Sequence, residues 1–220
     1  MSAASSLPST FGILLAGGRA TRMGGNDKAL IELCGAPLLA RVIAAVEPQC
    51  EGLLISANGD LARFETFGFA SVRDEIEGFA GPLAGILAGL DFIAQNRPEV
   101  GFALSVPTDT PFLPADLAAR LSAAQDDGGI VCARSGGATH PVVALWPVAI
   151  RGDLRRALIE ERIRKVDHFI SRHRRAYADW PIEPFDPFFN INAPQDLSTA
   201  EAILARVGDP LQKRTPIRHG

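Results

Sequence analysis

The chain is 220 residues long, 47% hydrophobic and 21% charged, enough to bury a full core and to favour one α/β domain over two small ones. Its formal net charge of -3 excludes a general electrostatic attraction to nucleic acid, so an anionic partner has to be small and met by a local cluster of cations. Cys34, Cys50 and Cys132 lie far apart with no C-x-x-C pair. That excludes a zinc site and an even disulfide framework, suits a reducing cytoplasm, and leaves all three cysteines expected in apolar core surroundings.

The opening segment, MSAASSLPST, has no cationic start, and no later stretch approaches the length needed to span a bilayer. A flexible N-terminus over 1–10 and a soluble, cytoplasmic protein without a membrane partner are therefore expected. From residue 11 onward, short apolar runs alternate with longer segments at helical spacing. The runs FGILLA (11–16), GLLISA (52–57), ASVRD (70–74), GFALSV (101–106), GIVCA (129–133) and PVVALW (141–146) read as buried strands. Between them, PLLARVIAAVEPQ, GPLAGILAGLDFIAQN and PADLAARLSAAQ read as helices, each opened by a proline. Residues 147–175 look helical and very basic, 176–192 are rich in Pro and Phe with little periodicity, and APQDLSTAEAILARV closes the chain as an amphipathic helix. Repeated βα units of this kind predict a single-domain, Rossmann-like three-layer sandwich with a mainly parallel sheet over 11–207, followed by a frayed tail over 208–220.

This layout gives two stretches an address. Ligands of open α/β sheets sit beyond the carboxyl ends of the strands, and the loop after the first strand, AGGRATRMGGNDK, lies there. It fits neither G-x-G-x-x-G nor the Walker signature. Gly17, Gly18, Gly24 and Gly25 can turn backbone N–H groups into one concavity, while Arg22 and Lys28, with Arg19, supply charge where phosphates would gather it in a transition state. A surface turn with solvated cations is the bland alternative. The second stretch is SVPTDTPFLPADL, where Asp109 follows the fourth strand and is held between Pro107 and Pro111. A lone strand-end carboxylate beside a phosphate cradle suffices for magnesium, whose remaining ligands are phosphates and waters; an Asp that merely caps the turn is the other reading.

Further along, FFNINAP places Asn190 and Asn192 at alternate positions, so an extended chain would turn both amides to one face, where they can meet a ligand with mixed donors and acceptors or simply make a turn. His140, at a strand start, either faces the cleft or is structural. The run RRALIEERIRKVDHFISRHRR either holds an anion or is a solvated helix face, its charge offset in part by Glu160, Glu161 and Asp167.

LAGGRATRMGGNDKAL, GPLAGILAGL, VPTDTPFLP, HPVVAL and FNINAPQDL occur in the order and spacing of a known group. Over residues 12–204 the chain resembles the nucleotidyltransferase family of molybdenum cofactor guanylyltransferases. The resemblance implies a Rossmann-like fold, GTP and magnesium as requirements, and transfer of GMP to the terminal phosphate of molybdopterin, free or metal-loaded, with release of pyrophosphate. It also implies nucleotide contacts at Leu15, Ala16, Gly17, Gly18, Lys28, Ser56, Asp74 and Asp109, with Asp109 as the magnesium ligand, Arg22 and Lys28 at the reacting phosphates, and Asn190, Asn192 and His140 on the acceptor side. Partners would include other cofactor-biosynthesis proteins or acceptor apoenzymes. Relatives that transfer cytidylyl groups typically read L-A-A-G where this chain has Leu15–Gly18, so Gly17 favours guanine. Some relatives carry Asn at the position of Ser56, and here the nearest amide is Asn58; a hydroxyl does not reproduce both roles of an amide in fixed geometry. A cytidylyl or sugar-phosphate transferase, and a nucleotide-binding module without activity, remain as alternatives.

Overall fold

The computed structural model describes residues 9–17, 27–74, 76 and 81–211. In chain order the strands are β1 (Thr10–Leu15), β2 (Glu32–Leu33), β3 (Ala36–Pro37), β4 (Leu53–Ser56), β5 (Ala70–Val72), β6 (Phe102–Pro107), β7 (Ile130–Ser135), β8 (Ala138–Pro147) and β9 (Arg175–Trp180). The helices are α1 (Leu38–Val46), α2 (Pro82–Asn96), α3 (Leu117–Ala123), α4 (Arg151–Ile159), α5 (Val166–Ile170) and α6 (Pro194–Val207). Seven strands form one sheet in the order β5-β4-β1-β6-β8-β7-β9, and β2 pairs with β3 in a separate hairpin.

Helices cover both faces. Because successive side chains of a strand point to opposite sides, Leu14, Ile55, Leu104 and Val106 join α1 and α3 in one core. Ile13, Leu54 and Ala103 join α2, α4 and α5 in the other. A third, smaller cluster sets Leu33 and Leu38 against Ile191, Ala200 and Leu204 of the closing segment. The three-layer sandwich expected from the βα alternation is present.

The mainly parallel sheet has one exception, and two local readings change. The sheet is parallel except at β8, which runs antiparallel to both β6 and β7. Only Gly136 and Gly137, with φ of 53° and 81°, separate β7 from β8. A two-residue loop with positive φ at both positions closes a hairpin, whereas a parallel return needs a crossover of a dozen residues or more. The basic segment is not helical to 175: it holds α4 and α5 and then gives way to β9, parallel to β7. In β9, Arg175, Tyr177 and Asp179 face outward while Ala178 and Trp180 are buried, a period-2 pattern masked by small alanines on its inner face. Finally, Cys34 is exposed, with φ of 49°, because with Gly35 it forms the tight turn between β2 and β3; Cys132 is buried and Cys50 partly so.

One buried contact holds the hairpin in place. The Arg41 guanidinium donates to the Leu33 carbonyl, at 3.0 Å from Nε and 2.5 Å from Nη2, and to both carboxylate oxygens of Asp209 at 2.9 Å. Arg41 is 4% and Asp209 8% exposed, so α1 clamps the segment leaving Lys28 to the chain just beyond α6. No helix among the described residues is long and apolar enough to cross a membrane.

Candidate active site

Three parallel strands end side by side at the site. The Ala16 amide donates to the Ser56 carbonyl at 2.8 Å, and the Thr108 amide and hydroxyl both reach the Leu15 carbonyl at 3.3 Å. β1, β4 and β6 therefore present their carboxyl ends as one edge. Above it lies a cavity of about 410 Å³ whose walls include Leu15, Gly17, Lys28, Ser56, Asp74 and Asp109, within the ~300–1,000 Å³ usual for small-molecule sites.

Lys28 opens a 3-10 turn capped by the preceding residue, Asp27, whose side chain accepts the Ala29 amide at 3.0 Å. From there Nζ donates to Asp109 Oδ2 at 2.5 Å and to Asn192 Oδ1 at 2.6 Å. The lysine and aspartate side chains retain 14% and 19% of their exposure, so the pair is sheltered but open to an incoming ligand. Asp109 is fixed from behind: its carbonyl accepts the Ile191 amide at 2.9 Å, and the Thr110 hydroxyl donates to Asn190 Oδ1 at 2.6 Å. Asp196, in the first turn of α6, accepts the amides of Asn192 and Ala193 at 2.7 and 2.8 Å. Residues 81 positions apart and 164 positions apart thus meet at one ammonium group.

The two asparagines do share a face, with Ile191 fully buried between them. Their side-chain oxygens engage Thr110 and Lys28, and Asn190 also borders the cavity. His140 has a different setting and is not among the cavity's walls. Its Nε2 lies 2.7 Å from the Ser135 hydroxyl, and its ring sits 4.7 Å from that of Phe188. The serine's single proton goes to Asp186 Oδ1 at 2.9 Å, so His140 is the donor to Ser135. Burial pushes the imidazole below its ordinary value, against the pull of the Asp186 carboxylate. Ser135 is 2% exposed, and this chain of contacts anchors the loop that leads to Asn190. Gly18, Arg19, Arg22, Gly24 and Gly25 lie outside the described residues.

At the other wall, Asn58 Nδ2 donates to Asp74 Oδ2 at 2.6 Å, and both line the cavity with Ser56. Gly85 of α2 lines it too; a Cβ there would come within 2.8 Å of Ser56 Oγ and 3.1 Å of Leu15 Cδ2. Glycine is what lets α2 approach the strand ends so closely. At Gly17 the opposite holds: a Cβ would meet nothing within 4 Å among the described residues. Thr110 and Gly85 were not marked out by motif reasoning, although GPLAGILAGL carried the second of them, and Asn58 entered only as the amide nearest to Ser56.

Among the described walls of the cavity none comes from the basic run. Arg155 pairs with Asp91 at 2.5 Å, Arg172 with Glu161 at 2.5 Å, and Arg156 with Asp153, as expected of a solvated face.

A profile of the MobA-like NTP transferase domain matches residues 12–176. A molybdenum cofactor guanylyltransferase of Rhodopseudomonas palustris (strain BisB5) is 54% identical over 201 residues, covering 90% of this chain and 96% of that protein. The chain belongs to the molybdenum cofactor guanylyltransferase family. As a member of that family it is a nucleotidyltransferase with the fold of the nucleotide-diphospho-sugar transferases. Among solved structures, a molybdopterin-guanine dinucleotide biosynthesis protein A from Archaeoglobus fulgidus superimposes with a TM-score of 0.68 at 24% identity, covering 89% of this chain and 99% of that one. A 4-diphosphocytidyl-2C-methyl-D-erythritol synthase from Anaerococcus prevotii gives 0.71 at 13% identity, over 90% and 97%. The fold is therefore shared with proteins of other names.

Proposed function

We propose that this protein transfers GMP from GTP to the terminal phosphate of molybdopterin, free or metal-loaded, forming the guanine dinucleotide form of the cofactor and releasing pyrophosphate in the cytoplasm. The observation that carries the reading is the meeting of Lys28, Asp109 and Asn192 at the carboxyl edge of β1, β4 and β6. An ionised phosphate of the acceptor is already a nucleophile. Its oxygen bonds to the α-phosphorus of GTP as the bond from that phosphorus to the bridging oxygen breaks, and the electron pair leaves on pyrophosphate. No proton has to move, so the site needs positioning and charge rather than a nucleophile and base.

The donors present suit magnesium. Among the described residues no three His, Cys, Asp or Glu side chains cluster as a metal cage, but one carboxylate with hard amide oxygens nearby matches an ion that keeps phosphates and waters as its other ligands. When bound on Asp109, the ion supplies charge neutralisation to the triphosphate oxygens. With Asp109 engaged by the ion, Lys28 would be available to stabilise the leaving pyrophosphate. Asn190 and Asn192 stand on the side from which the acceptor enters. Gly17 supports guanine over cytosine, because the ligand space at its Cα is what an alanine methyl would occupy.

The test is to incubate the protein with each of the four NTPs, magnesium and molybdopterin, and to measure pyrophosphate. GTP alone should support rapid release, and only with the acceptor present. Turnover with CTP equal to or above that with GTP would replace this reading with the cytidylyl alternative.

A further inference from the structure

Two residues outside the cavity join its two ends. Asp74 and Asn58 form one wall, 2.6 Å apart. The Asn58 carbonyl accepts from Arg63 Nη2 at 2.9 Å, and Arg63 Nε donates to Asp27 Oδ2 at 2.5 Å. Asp27 uses its other oxygen for the Ala29 amide at 3.0 Å, the bond that shapes the turn carrying Lys28. Nη1 of the same guanidinium reaches the Asp60 carbonyl, and its Cζ lies 4.3 Å from the centre of the Phe64 ring. Arg63 and Asp27 are absent from the cavity walls, and their side chains keep 25% and 17% of their exposure. Arg63 spans from the loop after β4 to the start of the Lys28 turn, and no other element among the described residues is needed to complete the connection.

We propose that Arg63 is a positioning residue, which through Asp27 sets Lys28 against the triphosphate and couples the nucleoside side of the cavity to its phosphate side. The proposal rests on the nucleotidyltransferase reading of the cavity. Its chemistry follows from the guanidinium fork. A planar group with five donors in fixed directions can hold two backbone carbonyls and a carboxylate at once, which a lysine ammonium on a flexible stem does not do. A surface ion pair contributes little to stability, so the arrangement matters for geometry. Asn58 keeps its own contact with Asp74 when the fork is lost, so the nucleoside end should hold while the Lys28 turn, which the fork reaches through Asp27, drifts, and a misplacement of about 1 Å at a reacting phosphate is costly.

The experiment compares the binding of GTP and GMP, with magnesium, to the wild type and to Arg63→Lys, Arg63→Met, Asp27→Asn and the double variant Arg63→Met with Asp27→Asn, by titration calorimetry. Only the triphosphate reaches Lys28, so the ratio of the two affinities reports its placement, and a merely structural role would move both affinities together. Each variant is expected to lose roughly fivefold or more of the GTP-over-GMP preference while GMP affinity stays within about twofold. The double variant is expected to be no worse than either single one, because the two residues act through one contact. Parallel loss of GMP and GTP affinity, an undiminished preference, or additive losses would overturn the proposal. Arg63→Lys keeps the stem over Phe64 and so serves if the methionine variant does not fold. CTP and CMP are run alongside: a wild type that prefers CTP would overturn the guanine reading, while the Arg63 proposal would be decided on that pair instead.

Discussion

Replacing Lys28 by alanine separates catalysis from stability at this site. The substitution removes an ammonium group held at 2.5 Å from Asp109 and 2.6 Å from Asn192. Both partners remain beside an open cavity, with the Asp109 side chain 19% exposed, so water can replace the lost donor. The stability cost should therefore be about 1 kcal/mol or less, a fall of about 2–4 °C in Tm for a chain of this size. The rate should fall much further, by roughly a hundredfold to a thousandfold, equivalent to about 2.7–4 kcal/mol, the usual cost of deleting one preorganised electrostatic contact. The residual activity should still require magnesium, because the carboxylate that holds it remains. Asp109→Ala should leave no such remainder at any practical magnesium concentration. The assay is pyrophosphate release against magnesium concentration for both variants, with thermal unfolding followed by circular dichroism. Near-normal turnover in folded Asp109→Ala would reduce that carboxylate to a turn residue, and a Lys28→Ala loss matched by unfolding would remove the catalytic argument for the lysine.

Other substitutions test the surroundings. Gly17→Ala places a methyl group in open space, so Tm should stay within about 2 °C while GTP affinity falls at least tenfold, about 1.4 kcal/mol; unchanged GTP binding by calorimetry would show that ligand does not occupy that space. Arg41→Ala leaves Asp209 buried without its fork, a type of loss that costs about 3–5 kcal/mol, and differential scanning calorimetry should find Tm lower by about 6–20 °C. A smaller shift would mean that the clamp is dispensable. His140 has its folded pKa lowered from 6.5 by burial, so the unfolded chain binds the proton first. Its contribution to stability is complete above about pH 6.5 and is lost as pH falls through the folded value. His140→Gln keeps an N–H for Ser135, and its Tm should decline less steeply than the wild type's from about pH 7 to about pH 5; equal slopes would refute the titration.

Much of this protein is written in local pattern. The apolar runs of β1, β4 and β6 and the prolines at the starts of α1 and α2 are legible because a buried strand and a helix-start proline each leave a short-range signature, whereas Pro114 stands three residues ahead of α3. The positions of Lys28 and Asp109 follow from the rule that ligands meet the carboxyl ends of parallel strands. The same kind of reading ran past β9, whose alternation is carried by alanines, and gave β8 no direction, because direction is set by the two glycines before it and not by its own residues.

What tertiary structure alone decided is which side chains share an atom. Alternation put Asn190 and Asn192 on one face, but only the docking of that segment along Asp109 brings Asn192 to Lys28 and ties Asn190 to Thr110. His140 was chosen from its place at a strand start; folding instead set it against Ser135 and Phe188. Arg63 carried no signal at all, since an arginine in a polar loop is ordinary until a carboxylate 36 residues earlier lies at its fork. Periodicity reports burial one element at a time. The distances within this site are set by how loops from four strand ends and one helix start pack against each other, and that information is not contained in any of them singly.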